Sequence, residues 1–116
     1  MARTAADALY AKNGSDIVLL DVEEAFFLCD VFVIATGSSR INVQALADHV
    51  EERLKERYDI KPFRVEGRTQ GEWVLVDFGD IIVHVFQADA REFYSLERLW
   101  GDAGLIKWEQ PVVTDG

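Results

Sequence analysis

Cysteine, proline and basic residues are scarce in this 116-residue chain, and long apolar runs are missing. A single cysteine, Cys29, excludes an intrachain disulfide and a cysteine-based metal site. It fits a reducing cytoplasm. No stretch approaches the ~20 consecutive apolar residues that cross a bilayer. The opening MARTAADALYAKNG has no apolar centre of signal-peptide kind, and Asp7 and Asn13-Gly14 interrupt it. The expectation is a soluble, cytoplasmic domain with no membrane partner. Basic side chains number 12 against 21 acidic ones, a formal charge of -9. Phosphate contacts dominate nucleic-acid binding, so little direct binding of RNA or DNA is expected. A basic protein is the better-matched partner, because opposite potentials speed encounter. The same charge also serves plain solubility.

What is present is an ordinary globular composition, 49% hydrophobic and 28% charged. A chain of this length makes one domain that buries about two-thirds of its unfolded surface. Its centre is Glu72 to Phe86, EWVLVDFGDIIVHVF, which alternates, turns and alternates again as a β-hairpin does. With Phe78 and Gly79 as the loop, Trp73 faces His84, Leu75 faces Ile82 and Asp77 faces Asp80. One face is aliphatic: Val74, Val76, Ile81, Val83 and Val85. The other mixes Trp73, Leu75, Asp77, Asp80, Ile82, His84 and Phe86, too apolar for a plain solvent face.

Around the hairpin, residues 2–12 read as a helix stopped at Asn13-Gly14. Asp16 to Val22 and Asp30 to Thr36 read as central strands, apolar on both faces. Ser38 or Ser39 caps a helix from Arg40 to Tyr58 whose stripe is Val43, Leu46, Ala47, Val50 and Leu54. Glu51 and Lys55 are spaced for an ion pair on it. Phe63 to Glu66 is a short strand. Asp89 and Glu92 make a capping box for a last helix, which runs to Trp100 with Phe93, Leu96 and Leu99 on its stripe. The order gives an α/β domain: a mixed β-sheet of about five strands, with a parallel crossover and the hairpin as antiparallel edge. Residues 1–104 form the domain and 105–116 a C-terminal tail. The helices cover one face and leave the hairpin's mixed face open.

Three chemical readings compete. Asp77 and Asp80, with Gly37-Ser38 before a helix, could hold magnesium and phosphate as in nucleotidyltransferases. Those enzymes, however, place two carboxylates on one strand face, whereas here they flank a turn, where Asp and Gly are ordinary. His49 reads as a solvated helix residue, His84 has no nucleophile to serve, and Cys29 reads as a buried small hydrophobe. No metal or cofactor is expected. Trp73 could be core against the last helix, but Leu75, Ile82 and Phe86 would join it in an apolar patch rimmed by carboxylates. That favours a protein interface. A dimeric adaptor, closing the face on its own copy, is the third reading.

GEWVLVDFGDIIVHVF followed by REFYSLERLWGD closely resembles the ribosomal silencing factor family, also called Iojap-like. DVFVIATGSS, DIVLLDV and Val65-Glu66-Gly67 match as well, so the resemblance runs from Asp16 to Gly104. It implies a nucleotidyltransferase-like fold without the catalytic carboxylates, and no enzyme activity. It also implies binding to a basic protein at the intersubunit face of the large ribosomal subunit, the fourteenth large-subunit protein in the usual naming. Occupying that face blocks subunit joining and represses translation when nutrients are short. The positions that match are Trp73, Asp77, Asp80, His84, Phe86, Glu92, Tyr94 and Glu97, with Leu75 and Ile82 in the same patch. Members are often dimeric, and a homodimer closed over this face must open before binding. Glu24 to Cys29 departs from the Ser-containing stretch usual in the family.

Overall fold

The computed structural model describes residues 1–23, 29–94 and 104–111, with 92–94 described by backbone only. Among these, helix α1 spans Ala2–Ala11, strand β1 Ser15–Asp21, β2 Val31–Gly37 and helix α2 Arg40–Tyr58. Strands β3 (Arg64–Glu66), β4 (Trp73–Asp77) and β5 (Ile81–Gln87) follow, then α3 (Ala88–Tyr94) and β6 (Leu105–Ile106). The six strands form one sheet in the order β3-β4-β5-β2-β1-β6. Only β2 and β5 run parallel; every other neighbouring pair is antiparallel. The mixed α/β sheet expected from the sequence is therefore present, one short strand larger. Residues 105–106, assigned to the tail by composition, supply that strand against Leu19 and Leu20.

Local chemistry accounts for the boundaries. Asn13, in the left-handed region at φ 67°, ends α1, and its N–H donates to the Tyr10 carbonyl. Ser39 caps α2 by accepting the Asn42 N–H on its side-chain oxygen. The whole stripe Val43, Leu46, Ala47, Val50 and Leu54 is buried, as the helical spacing requires. Lys55 pairs with Asp59 at the helix end, not with Glu51. Asp89 sits in the first turn of α3 and is not its cap, because the helix follows β5 directly. The stripe expected from Leu96 to Trp100 lies outside the described residues.

The hairpin keeps its two faces but not its expected register. Trp73 pairs with Phe86, Leu75 with His84 and Asp77 with Ile82. The loop residues are Gly79 and Asp80, and the Phe78 N–H donates to the Ile81 carbonyl at 2.9 Å. Gly79 takes φ 91°, which puts glycine at the first central position of a tight hairpin loop. A slip of two residues leaves every side chain on its own face. The hairpin is also no edge. β5 lies at the sheet's centre between β4 and β2, and β3 forms the rim.

Helices α1 and α2 cover one face. Ala5, Ala6 and Leu9 of α1 and the stripe of α2 pack on Leu19, Val33, Ala35, Val74, Val76, Val83 and Val85. On the other face Leu20, Val22, Cys29, Phe32, Ile34, Ile82 and Phe86 form a second buried cluster. Val18, Trp73, Leu75 and Ala90 of α3 lie against it.

Candidate functional site

The mixed face is less open than its alternation suggests. Ile82, His84 and Phe86 are buried, at 5%, 4% and 1% exposure. The cause is the central place of β5: β2 lies beside it, Ala90 of α3 packs on the same cluster, and Trp73 stacks on Phe86 with ring centroids 5.0 Å apart. Only the β4 half of the face, Trp73, Leu75 and Asp77, is half-exposed, with Asp80 exposed at the turn.

Trp73 is fixed from two directions. Beneath it lies Phe86, and its Nε1–H donates to His84 Nδ1 at 3.1 Å. Since Nδ1 accepts, the proton of neutral His84 sits on Nε2, which is buried and has no hydrogen-bond partner among the described residues. The Phe32 ring meets His84 edge-on, at 4.6 Å between centroids. Burial in this aromatic setting pushes the His84 pKa down to about 4, so the imidazole is neutral at physiological pH. Backbone geometry helps to place the indole. Gly67 adopts φ 79°, and a Cβ there would come within 2.1 Å of the Trp73 carbonyl. A side chain at position 67 would displace the start of β4.

The two turn carboxylates differ. Asp77 Oδ1 accepts the Gly79 N–H at 2.8 Å, and its Oδ2 lies 3.3 Å from Arg64 Nε. It is turn chemistry, as the spacing suggests, with a strand partner added. Arg64 was not among the candidate residues; the signal for it is the β3–β4 register, which sets Arg64 opposite Asp77. Asp80 makes no ion pair among the described residues. Its carbonyl accepts the N–H groups of Asp30 and Val31, joining the turn to the start of β2.

Glu92 and Tyr94 lie on α3, with side chains outside the description, and Glu97 lies outside the described residues. What does appear on α3 is Arg91, whose Nη1 donates to Thr36 Oγ1 at 3.0 Å and ties the helix to β2. Cys29 is buried near Asp77 and Asp30; desolvation first, then these charges, push its thiol up to about 11. His49 is half-buried instead of solvated, with Nδ1 3.9 Å from Glu52. Its pKa is lowered by desolvation and by Arg53 and Lys12.

The start of α2 satisfies part of the G-S loop internally. The Ser38 N–H is taken by Asn42 Oδ1, and the Asn42 N–H by Ser39 Oγ. Among the described residues no three His, Cys, Asp or Glu side chains converge as a metal site. No described helix is long and apolar enough to cross a membrane.

Such a chain is a small α/β domain with a rigidly seated surface tryptophan and an acidic turn, the makings of a binding module. Its residues 1–115 match the family described as "Ribosomal silencing factor during starvation". The chain belongs to this family. Ribosomal silencing factor RsfS of Bacillus subtilis is 43% identical over 103 residues, covering 89% of this chain and 86% of that protein. A mouse protein named "Mitochondrial assembly of ribosomal large subunit protein 1" is 33% identical over 79% of this chain and 41% of its own length. A crystal structure of a Chromobacterium violaceum protein superposes with TM-score 0.82 at 37% identity, covering 99% of this chain and 90% of that one.

Proposed function

We propose that this protein is a ribosomal silencing factor that acts by steric exclusion, with no bond made or broken. It would bind the large ribosomal subunit in the cytoplasm through a basic protein at the intersubunit face. The small subunit would then be unable to join, and translation would fall under nutrient limitation. The family match over residues 1–115 carries this reading. Names of relatives, which speak of silencing and of large-subunit assembly, support it.

The site geometry suggests a division of labour. Trp73 and Leu75 supply the desolvated anchor, and Asp80, the turn carboxylate with no ion pair among the described residues, meets lysine or arginine of the partner. Asp77 contributes a charge already shared with Arg64. Ile82, His84 and Phe86 act from below by holding the anchor. Glu92, Tyr94 and Glu97 are carried as further partner contacts on the family resemblance alone. In a homodimer closed over Trp73, self-association and ribosome binding would compete.

The test is co-sedimentation with isolated large subunits, followed by subunit rejoining. Wild type should travel with the large subunit and block rejoining. A folded Trp73→Ala variant that does both as well as wild type would sink the assignment of the face. Nucleotide and magnesium binding abolished by Asp77→Asn would instead revive the enzyme reading. The Ser38 N–H, already donated to Asn42 Oδ1, argues against that outcome.

A further inference from the structure

At the far side of the sheet from Trp73 lies a second constellation. β1 pairs with β2 at Ser15↔Thr36 and resumes at Val18↔Ile34, one residue out of step. This bulge contains Asp16, which stands in the left-handed region at φ 48°. Bulges re-aim side chains at sheet edges. Here Asp16 lines a cavity of about 390 Å³ together with Tyr10 and Trp108. That volume is in the range of small-ligand sites, roughly 300–1,000 Å³.

The walls of this cavity favour positive charge in three independent ways. Tyr10 and Trp108 meet at 66° with centroids 6.2 Å apart, making a corner of two aromatic rings. Ring faces carry negative quadrupole charge, and guanidinium and ammonium groups settle on them. Asp16 is exposed and has no ion pair among the described residues. Tyr10 comes from the last turn of α1, the negative end of the helix dipole, and Lys12, which caps that end, does not line the cavity.

The corner is also held in place. Trp108 Nε1 donates to Asp7 Oδ1 at 3.0 Å, and Arg3 Nη2 donates to the Lys107 carbonyl at 3.0 Å. Trp108 thereby packs on the α1 side of the core although it follows the last strand. The indole N–H is engaged by Asp7, so what Trp108 offers a ligand is its ring.

We propose that Tyr10, Asp16 and Trp108 form a binding site for an organic cation, a guanidinium or alkylammonium group. The group stacks on the aromatic corner and pairs with Asp16. It can arrive as a free small molecule or as an arginine or lysine side chain of a basic protein. The site is separate from the Trp73 surface: β5 and β2 lie between β4 and β1. Three strand spacings place the two about 14 Å apart across the sheet. It therefore stands or falls apart from the ribosome reading.

The test is an NMR titration of the full chain with N-acetyl-arginine amide, using N-acetyl-citrulline amide as the uncharged control. The expected result is a saturable shift of the Trp108 indole N–H and the Ser15 and Asp16 amides, with the Trp73 indole N–H unmoved. Citrulline should give none of it. Asp16→Asn should weaken binding about fivefold, the scale of one exposed ion pair. Asparagine tolerates the left-handed region, so this variant keeps the bulge. Tyr10→Leu should weaken it as well. An arginine-containing basic peptide that binds more tightly than the amide would assign the source as a protein side chain. Spermidine binding more tightly than the peptide would assign it as a free polyamine. No saturation with arginine, an equal response to citrulline, or unchanged affinity in Asp16→Asn would each overturn the site.

Discussion

On the α1–α2 side of the sheet, the buried strand residues are aliphatic, and the helices add only alanine, valine and leucine. On the other side Phe32, His84, Phe86 and Trp73 pack edge-on or stacked around a hydrogen bond, with leucine, valine and isoleucine filling in. The aliphatic side is stabilised by area and shape, which fix no direction for any one group. The aromatic side adds a donor, an acceptor and ring edges, which do fix direction. Both faces bury core, and the aromatic one also holds Trp73 in a set pose at the surface.

That contrast can be broken by mutation. Leu46 is fully buried in α2, and Leu46→Ala should cost about 2–5 kcal/mol of stability, read by urea unfolding. Molecules that remain folded should bind large subunits normally. Trp73→Ala should reverse the pattern, costing about 2–4 kcal/mol of ribosome affinity with a smaller loss of stability. If Leu46→Ala impaired binding of the folded protein, or Trp73→Ala only unfolded it, the division between the faces would fail.

His84 sharpens the comparison, because it is the titratable group inside the aromatic side. Its pKa is about 4 in the fold against 6.5 in its ordinary state, so between these values the unfolded chain binds the extra proton. Stability from neutral His84 is complete above about pH 6.5 and lost as pH falls toward 4. From pH 7 to pH 5 the loss should be about 2 kcal/mol, relative to His84→Gln, which cannot titrate. Equal pH dependence in the two proteins would show that His84 is not desolvated as the structure has it. Protonation also turns Nδ1 into a donor, so the Trp73 hydrogen bond should break over the same range.

The extent to which the sequence disclosed this depends on what kind of constraint each part obeys. Helix α2 and its stripe are local, a matter of 3.6-residue spacing and one serine, and both emerge at their observed bounds. The two faces of the hairpin are also local, because alternation survives a register slip of two. The register is not: it depends on which residues tolerate φ > 0, and Gly79 moves the loop one residue along. The burial of Ile82, His84 and Phe86 is wholly non-local. It follows from β5 lying beside β2, residues about fifty positions apart in the chain, which alternation within the hairpin cannot report. The Tyr10–Trp108 corner belongs to the same class, joining the two ends of the sequence.

The smallest expected effects concern the acidic turn, where the two carboxylates should behave unlike each other. Asp77 is held by Arg64 and by the Gly79 N–H, while Asp80 is exposed with no ion pair among the described residues. Asp77→Asn keeps an acceptor for Gly79 but loses the Arg64 pair, an exposed one worth under about 1 kcal/mol. Asp80→Asn should leave the unfolding midpoint unchanged. A rim charge acts mainly on encounter, so Asp80→Asn should slow association with large subunits and flatten its dependence on salt. Stopped-flow rates at two ionic strengths separate these effects. A charge already paired within the fold has less to offer a partner, so Asp77→Asn should change the rate less than Asp80→Asn. The opposite order would mean that Arg64 yields Asp77 to the partner on binding, and the rim would then extend into β3.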